Sequence, residues 1–416
     1  MNPKKLSVQL IRLSMIAYIL WLMLPAAQAA GRAMTGAACV GLFGLGVLMD
    51  FDTLRKQWLP LLLRALCTAL LPLLIRLVMD RGGNAAAGFY VRCAMLCFPV
   101  VFVGHVRGLQ NKELWKHTQW VLLGAVVLTL VTTCGWLIEG LIRDSGTAIY
   151  SRILGNAEPG QEAYLKTLML RNIGGYDFIY AMVAALPLTC IAIADSRGGR
   201  RWAFIGLVFL QVLVIFLSQY TYALLYAALI LGVEMVALAI RKLSRDRVKA
   251  GASMLYALIP FILAALLAQP LLSFAAALLK RLGFFNLSVN LGYLQQFLQG
   301  GAVAPDTRMA YYPIALQGFV QSPIIGSLAG GEKLFSYHSD LLDLLSGAGL
   351  IGLLGMGLML WLMGRGSLRG LRSHRHRTHL LVMFVSVIVI AALGTVVYSR
   401  EILLVAMLGT LFVLEN

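Results

Sequence analysis

One pattern governs what this chain can fold into: uncharged, apolar runs long enough to cross a bilayer recur along almost its whole length. A helix needs about 20 such residues to traverse a hydrocarbon layer of ~30 Å. Twelve runs of suitable length start near Leu10, Ala33, Trp58, Asn84, Gln119, Tyr176, Trp202, Tyr220, Gly251, Leu344, Leu380 and Ile402. The twelfth is short, and only the polar step Ser218–Gln219 separates the seventh from the eighth. A water-soluble fold is excluded on the same ground. Of the 416 residues 60% are hydrophobic and 13% charged, and no globule of this size covers so much apolar surface. The expectation is an all-α polytopic membrane protein, a single membrane domain over residues 1–416 with about twelve transmembrane helices. No internal repeat or low-complexity linker divides it.

The net charge of +17 would suggest a nucleic-acid partner in a soluble chain. Here its distribution assigns it to topology. With the N-terminus inside, 21 Lys and Arg fall in cytoplasmic segments, three in short outer loops and eight in long outer segments, which count little. This predicts a multi-pass membrane protein with both termini cytoplasmic and no nucleic-acid partner. The opening MNPKK, an apolar stretch and PAAQAAG resemble a signal peptide, but the run is long for one, which favours an uncleaved first helix. The six cysteines lie inside apolar runs and read as packing residues. Cys93 and Cys97 share a helix face but have no histidines near them, so no metal site is expected.

Two outer segments stand out by length, residues 143–175 and residues 276–343, the latter just before the tenth crossing. Loops of this length usually carry function. In the second, RLGFFNLSVNLGYLQQFL reads as an interfacial helix. Arg308–Val320 reads as a short helix after a Pro305–Asp306–Thr307 start signal, and SPIIGSLAGGEK as turns.

Ionisable residues inside the apolar runs are costly and each needs a reason. Arg64 and Arg92 lie well inside the third and fourth runs. They read equally well as contacts to a lipid-linked phosphate or as interhelical hydrogen-bond donors; Arg76 can snorkel. Glu139, Asp177 and Glu234 lie near helix ends, where edge solvation accounts for them. The basic loop from Arg365 to His379 reads as a solvated, positive-inside loop rather than a metal or lipid site.

The densest constellation lies in the long outer segment. Arg308-Met-Ala-Tyr-Tyr-Pro is followed by Gln317-Gly-Phe-Val-Gln-Ser-Pro-Ile-Ile-Gly326 and Tyr337-His338-Ser-Asp340-Leu-Leu-Asp343, then Ser346-Gly-Ala-Gly-Leu-Ile-Gly352. His338 is the one histidine expected outside. At the N-terminus of a helix entering the membrane, an imidazole suits proton transfer at the water–lipid boundary. Arg308 offers a guanidinium for phosphate oxygens at the same boundary.

These residues resemble the bacterial O-antigen ligase and O-antigen polymerase superfamily. Its signature is an outer arginine, a Phe-x-x-Ser-Pro-x-x-Gly turn and a histidine preceding a Leu-Leu helix with Gly-Leu-Ile-Gly near its start. Arg308, Phe319, Ser322, Pro323, Gly326, His338, Leu341, Leu342, Gly349, Leu350, Ile351 and Gly352 match it in order and spacing over roughly 50 residues. The family's twelve-helix, GT-C-like layout is similar as well. One element departs: where the family usually carries a Ser-Arg step between the seventh and eighth crossings, this chain has Thr221. Arg171 and Arg400 are candidates to supply that cation.

The resemblance implies an inverting, metal-independent glycosyltransferase whose donor is a glycan on a polyprenyl (undecaprenyl) diphosphate and whose acceptor is another lipid-linked glycan. It implies no cofactor. Arg308, with Arg171, Arg400 or Arg92, would hold the diphosphate leaving group, and His338 would orient or deprotonate the acceptor hydroxyl. Tyr312 and Tyr337 would line the substrate site. Asp340 or Asp343 could fix the tautomer of His338, although capping the following helix is the favoured role for Asp340. Ligase-like transfer to another lipid or protein differs only in acceptor. The rival classes are a carrier of lipid-linked sugars and a non-catalytic assembly scaffold. A carrier should show repeat symmetry and broken helices, and neither is legible in the sequence.

Overall fold

The computed structural model describes residues 3–50, 111–143, 160–244, 266–281, 284–300, 308–329, 334–368, 374–394 and 399–409. It also describes isolated positions between 55 and 105 and at 262–263. Among these residues 88% are helical and none is in a strand. Five helices among the described residues are long and apolar enough to cross a membrane: Lys4–Met23, Glu113–Arg143, Tyr176–Asp195, Gly198–Leu217 and Asp340–Leu358. The bent pair Pro25–Gly31 and Met34–Met49 would make a sixth, and Thr221–Val236 and His376–Ala392 are shorter apolar helices. This is a helical membrane protein. The runs expected from Trp58 and Asn84, and the start of that from Gly251, lie largely outside the described residues, and Arg64, Arg76 and Arg92 lie wholly outside them.

Helices α1 (Pro3–Met23) and α2 (Pro25–Met49) form a tight hairpin. Leu24 is extended and Pro25 opens α2, where a missing N–H costs nothing. Gly46 sits against Ser7 and Ile11, so the backbones approach closely. Ser7 Oγ donates to the Gly46 carbonyl at 2.6 Å and Ser14 Oγ to that of Cys39 at 2.6 Å. Both hydroxyls are thereby satisfied in an apolar interior. Helix α3 (Lys112–Arg143) joins them through Thr129 Oγ, which donates to the Met23 carbonyl at 2.8 Å.

The short helix α4 (Glu162–Leu170) leads through Arg171–Gly175 into α5 (Tyr176–Asp195). That turn is fixed on α3: Thr132 Oγ donates to the Asn172 carbonyl at 2.6 Å, and Gly174 N donates to Thr133 Oγ at 2.8 Å. Helix α5 is the centre of the bundle. Its small residues Ala181, Ala184 and Ala185 let four neighbours pack close, and most of its length is buried. Those neighbours are α6 (Gly198–Leu217), α7 (Thr221–Ser244), α12 (His374–Leu393) and α13 (Arg400–Gly409).

The expected outer segment is largely helical. Helices α8 (Ala268–Arg281) and α9 (Phe285–Leu298) pair through Leu272, Leu279, Leu287 and Leu291, against Phe216, Leu224 and Leu225 of α6 and α7. Helix α10 (Arg308–Gln321) starts where the sequence places it, with Pro313 in its early turns. A 3-10 turn, Gly326–Ala329, follows, and α11 (Asp340–Leu368) runs beside α10.

Helix α11 is broken, a feature that was not legible in the sequence. At Gly349 the backbone turns to φ 58°, ψ −152°. The freed N–H groups are not orphaned: Leu350 N donates to the Pro323 carbonyl at 2.9 Å and Ile351 N to that of Ile324 at 3.2 Å. Gly326, at φ 66°, faces the Gly347 backbone, and Gly349 faces the Ile324 backbone. A Cβ at either position would overlap main-chain atoms, and the left-handed φ excludes side chains at modest cost. The Ser-Pro-x-x-Gly turn and the Gly-Leu-Ile-Gly step are therefore two halves of one joint.

Candidate active site

The loop that carries His338 is set by short-range hydrogen bonds. Ser336 donates twice to Asp343 Oδ1, from its N at 2.6 Å and its Oγ at 2.8 Å. Ser336 Oγ then accepts from His338 N at 3.1 Å and Ser339 N at 3.0 Å. Ser339 Oγ accepts from Leu342 N at 3.1 Å, which makes Ser339, rather than Asp340, the N-cap of α11. The same hydroxyl donates to the Ala392 carbonyl at 2.6 Å, and Asp340 N donates to that of Gly394 at 3.1 Å. Ser346 Oγ donates to the Leu334 carbonyl. The loop is thus tied to α11 below it and to the end of α12 beside it.

Within this frame Tyr337 adopts φ 56°, a costly conformation for a tyrosine, and remains 48% exposed. His338 is partly exposed, its ring 5.5 Å from that of Tyr311 on α10. Arg308 is the first residue of α10, one turn before Tyr311, so its backbone starts on the helix that packs against the histidine. The Arg308 side chain is outside what the structure describes. Tyr312, also on α10, is buried, 5% exposed. Arg171 stands exposed at the C-cap of α4, and Arg400 opens α13. Beside Arg400, the buried Glu401 accepts from Gln28 Nε2 at 3.1 Å.

Thr221, where the family's arginine would align, is buried and accepts from Asn290 Nδ2 of α9 at 3.1 Å. The turn before it places Gln219 at φ 55° and carries Tyr220 onto Tyr176, with ring centroids 5.3 Å apart. Tyr176 also packs on Tyr180 at 4.5 Å, and Tyr180 lies 6.4 Å from Tyr226. A Cβ on Gly394 would lie 3.9 Å from the Tyr176 hydroxyl. Since the Gly394 carbonyl holds Asp340 N, the tyrosine group and the His338 loop are neighbours. Sequence reading missed this group; the signal was Tyr176 and Tyr180 one turn apart on α5, with Tyr220 just before α7 and Tyr226 in its second turn.

The opposite end of α12 corrects two further expectations. Glu234 is not solvated at a helix edge: it is 2% exposed on α7, its Oε2 2.5 Å from His379 Nδ1. His376 Nε2 lies 2.8 Å from Asp195 Oδ2 at the end of α5. Both histidines are buried, so the segment from Arg365 to His379 is not simply a solvated loop. Glu139 and Asp177, by contrast, are exposed, and Glu139 pairs with Arg143 at 2.8 Å. Cys39 and Cys134 are buried free thiols, and Cys190 is a half-buried one. Among the described residues no group of three or more His, Cys, Asp or Glu is gathered as a metal ion would require.

Comparison with known proteins gives no relative: no protein-family model, no curated protein and no solved structure matches the chain.

Proposed function

We propose that the protein is a membrane glycosyltransferase. It would join glycans carried on polyprenyl diphosphate at the outer face of the cytoplasmic membrane, as a surface-polysaccharide polymerase does. The observation that carries the reading is the placing of His338: partly exposed, in a turn capped onto the start of α11, and packed against the helix that Arg308 opens. A diphosphate is already a good leaving group, so the reaction needs little covalent help from the protein. It needs a cation where charge develops, the role of Arg308, and a group that aims the acceptor hydroxyl at the anomeric carbon and takes its proton, the role of His338. The bond from the anomeric carbon to the diphosphate oxygen breaks as the bond to the acceptor oxygen forms. Ligase-like transfer would use the same two groups with a different acceptor.

A second reading, a carrier of lipid-linked sugars, draws on the break in α11 at Gly349, since discontinuous helices are a hallmark of transporters. Purified protein in liposomes containing lipid-linked oligosaccharide separates the two. New glycosidic bonds that disappear in both His338→Ala and Arg308→Ala support the enzyme. Movement of the oligosaccharide between leaflets without bond formation supports the carrier, and neither activity would leave an assembly scaffold.

A further inference from the structure

The four tyrosines beside the His338 loop are not an interfacial belt. Tyr180 and Tyr226 are 2% and 4% exposed and sit inside the bundle, whereas belt residues stand at the lipid headgroups. Tyr176 and Tyr220 are half-buried, and they are the two rings at the surface of the stack. The rear rings fix the front pair: Tyr180 packs at 4.5 Å from Tyr176 and 6.5 Å from Tyr220. Such edge and tilted contacts add to simple burial and hold each ring in one orientation. The turn at Gln219, in the left-handed region, aims Tyr220 at this position. The result is a rigid aromatic surface, ordered before any ligand arrives.

Its surroundings decide what it can bind. Next to Tyr220 lie the Thr221 hydroxyl and the Asn290 carboxamide, hydrogen-bonded to each other at 3.1 Å. Next to Tyr176 lies Asp177, exposed in the first turn of α5. Phenols, a hydroxyl and an amide offer neutral hydrogen-bonding groups, and the Asp177 carboxylate at the edge disfavours an anion. A pyranose ring has the complementary chemistry: a C–H face that stacks on an aromatic ring, rimmed by hydroxyls that donate to carboxylate and amide oxygens. The surface adjoins the His338 loop through Gly394, where an added Cβ would come within 3.9 Å of the Tyr176 hydroxyl and whose carbonyl accepts from Asp340 N.

We propose that Tyr176 and Tyr220, with Asn290 and Asp177 at the rim, form a sugar-binding subsite that seats a glycan unit beside His338. This rests on the glycosyltransferase reading, and it assigns this side of the site to the sugar and leaves the diphosphate to the arginines. The position occupied by Thr221 then has no need of a cation.

The test uses the full chain in nanodiscs with lipid-linked oligosaccharide extracted from the producing cells. Tyr220→Ala should raise KM for the oligosaccharide about tenfold with a much smaller change in kcat, and Tyr220→Phe should restore the wild-type KM, because the ring and not the hydroxyl stacks. Equal loss in the Ala and Phe variants, or no change in either, overturns the subsite. A binding readout keeps the two proposals apart. With oligosaccharide released from its lipid by mild acid, saturation transfer from protein to sugar protons should survive His338→Ala and vanish in Tyr220→Ala. If it survives Tyr220→Ala the subsite is wrong, whatever the enzyme does. If His338→Ala keeps full turnover, the enzyme reading falls while the binding result still judges the tyrosines.

Discussion

Helix α12 connects two regions that use histidine in opposite ways. At one end its last carbonyls, Ala392 and Gly394, hold a loop whose histidine is partly exposed; that loop is built by serine hydroxyls and by Asp343, which faces Ser336. At the other end its own His376 and His379 are buried, each facing one carboxylate from a different helix. The first arrangement spends the carboxylate on the backbone and leaves the imidazole at the surface. The second spends both groups on each other. A buried imidazole matched to a carboxylate is a structural fastening, whereas His338 is partly exposed.

This contrast can be broken most severely at the buried end. Glu234→Ala or His379→Ala strands the other partner in an apolar interior and should cost about 3–5 kcal/mol, read as a lower unfolding midpoint in detergent. The double change to leucine at both positions should recover most of that loss. Asp343→Ala leaves the Ser336 N–H without its acceptor and should cost roughly 1–3 kcal/mol, seen as faster hydrogen exchange across residues 334–343 together with lost glycan synthesis. His376→Ala should cost less, about 1 kcal/mol, because the Asp195 side chain is 22% exposed and water can replace the pair. The smallest effect on stability belongs to His338→Ala, within about 0.5 kcal/mol by the same unfolding assay, although it should have the largest effect on activity. If His338→Ala destabilises as much as His379→Ala, the distinction between the two ends is wrong.

Much of the helical skeleton could be read from apolar run length alone. The starts near Tyr176 and Trp202 fall within α5 and α6, and the start signal before Arg308 matches α10. Local rules sufficed because each of these elements is decided within its own stretch of chain. The break at Gly349 was not legible, since Ser-Gly-Ala-Gly inside an apolar run looks like the small-residue packing of any membrane helix. It becomes a break only because the Pro323 and Ile324 carbonyls are there to receive its N–H groups. The His–carboxylate pairs were hidden for a similar reason: His376 and Asp195 are 181 residues apart in sequence, and a histidine in a run of arginines looks solvated. Ser339 was passed over as the cap in favour of Asp340, because both residue types cap helices and only geometry chooses between them.

The joint between Pro323–Gly326 and Gly349–Ile351 also sets a schedule for synthesis. The ribosome makes the accepting carbonyls of the turn before the donating amides of α11, so the turn emerges unfinished and has no partner until the following helix exists. The segment that ends in His338 is therefore completed late, after α11 has taken its place, and a chain truncated between Gly326 and Gly349 would hold half of a joint that nothing else in it can close.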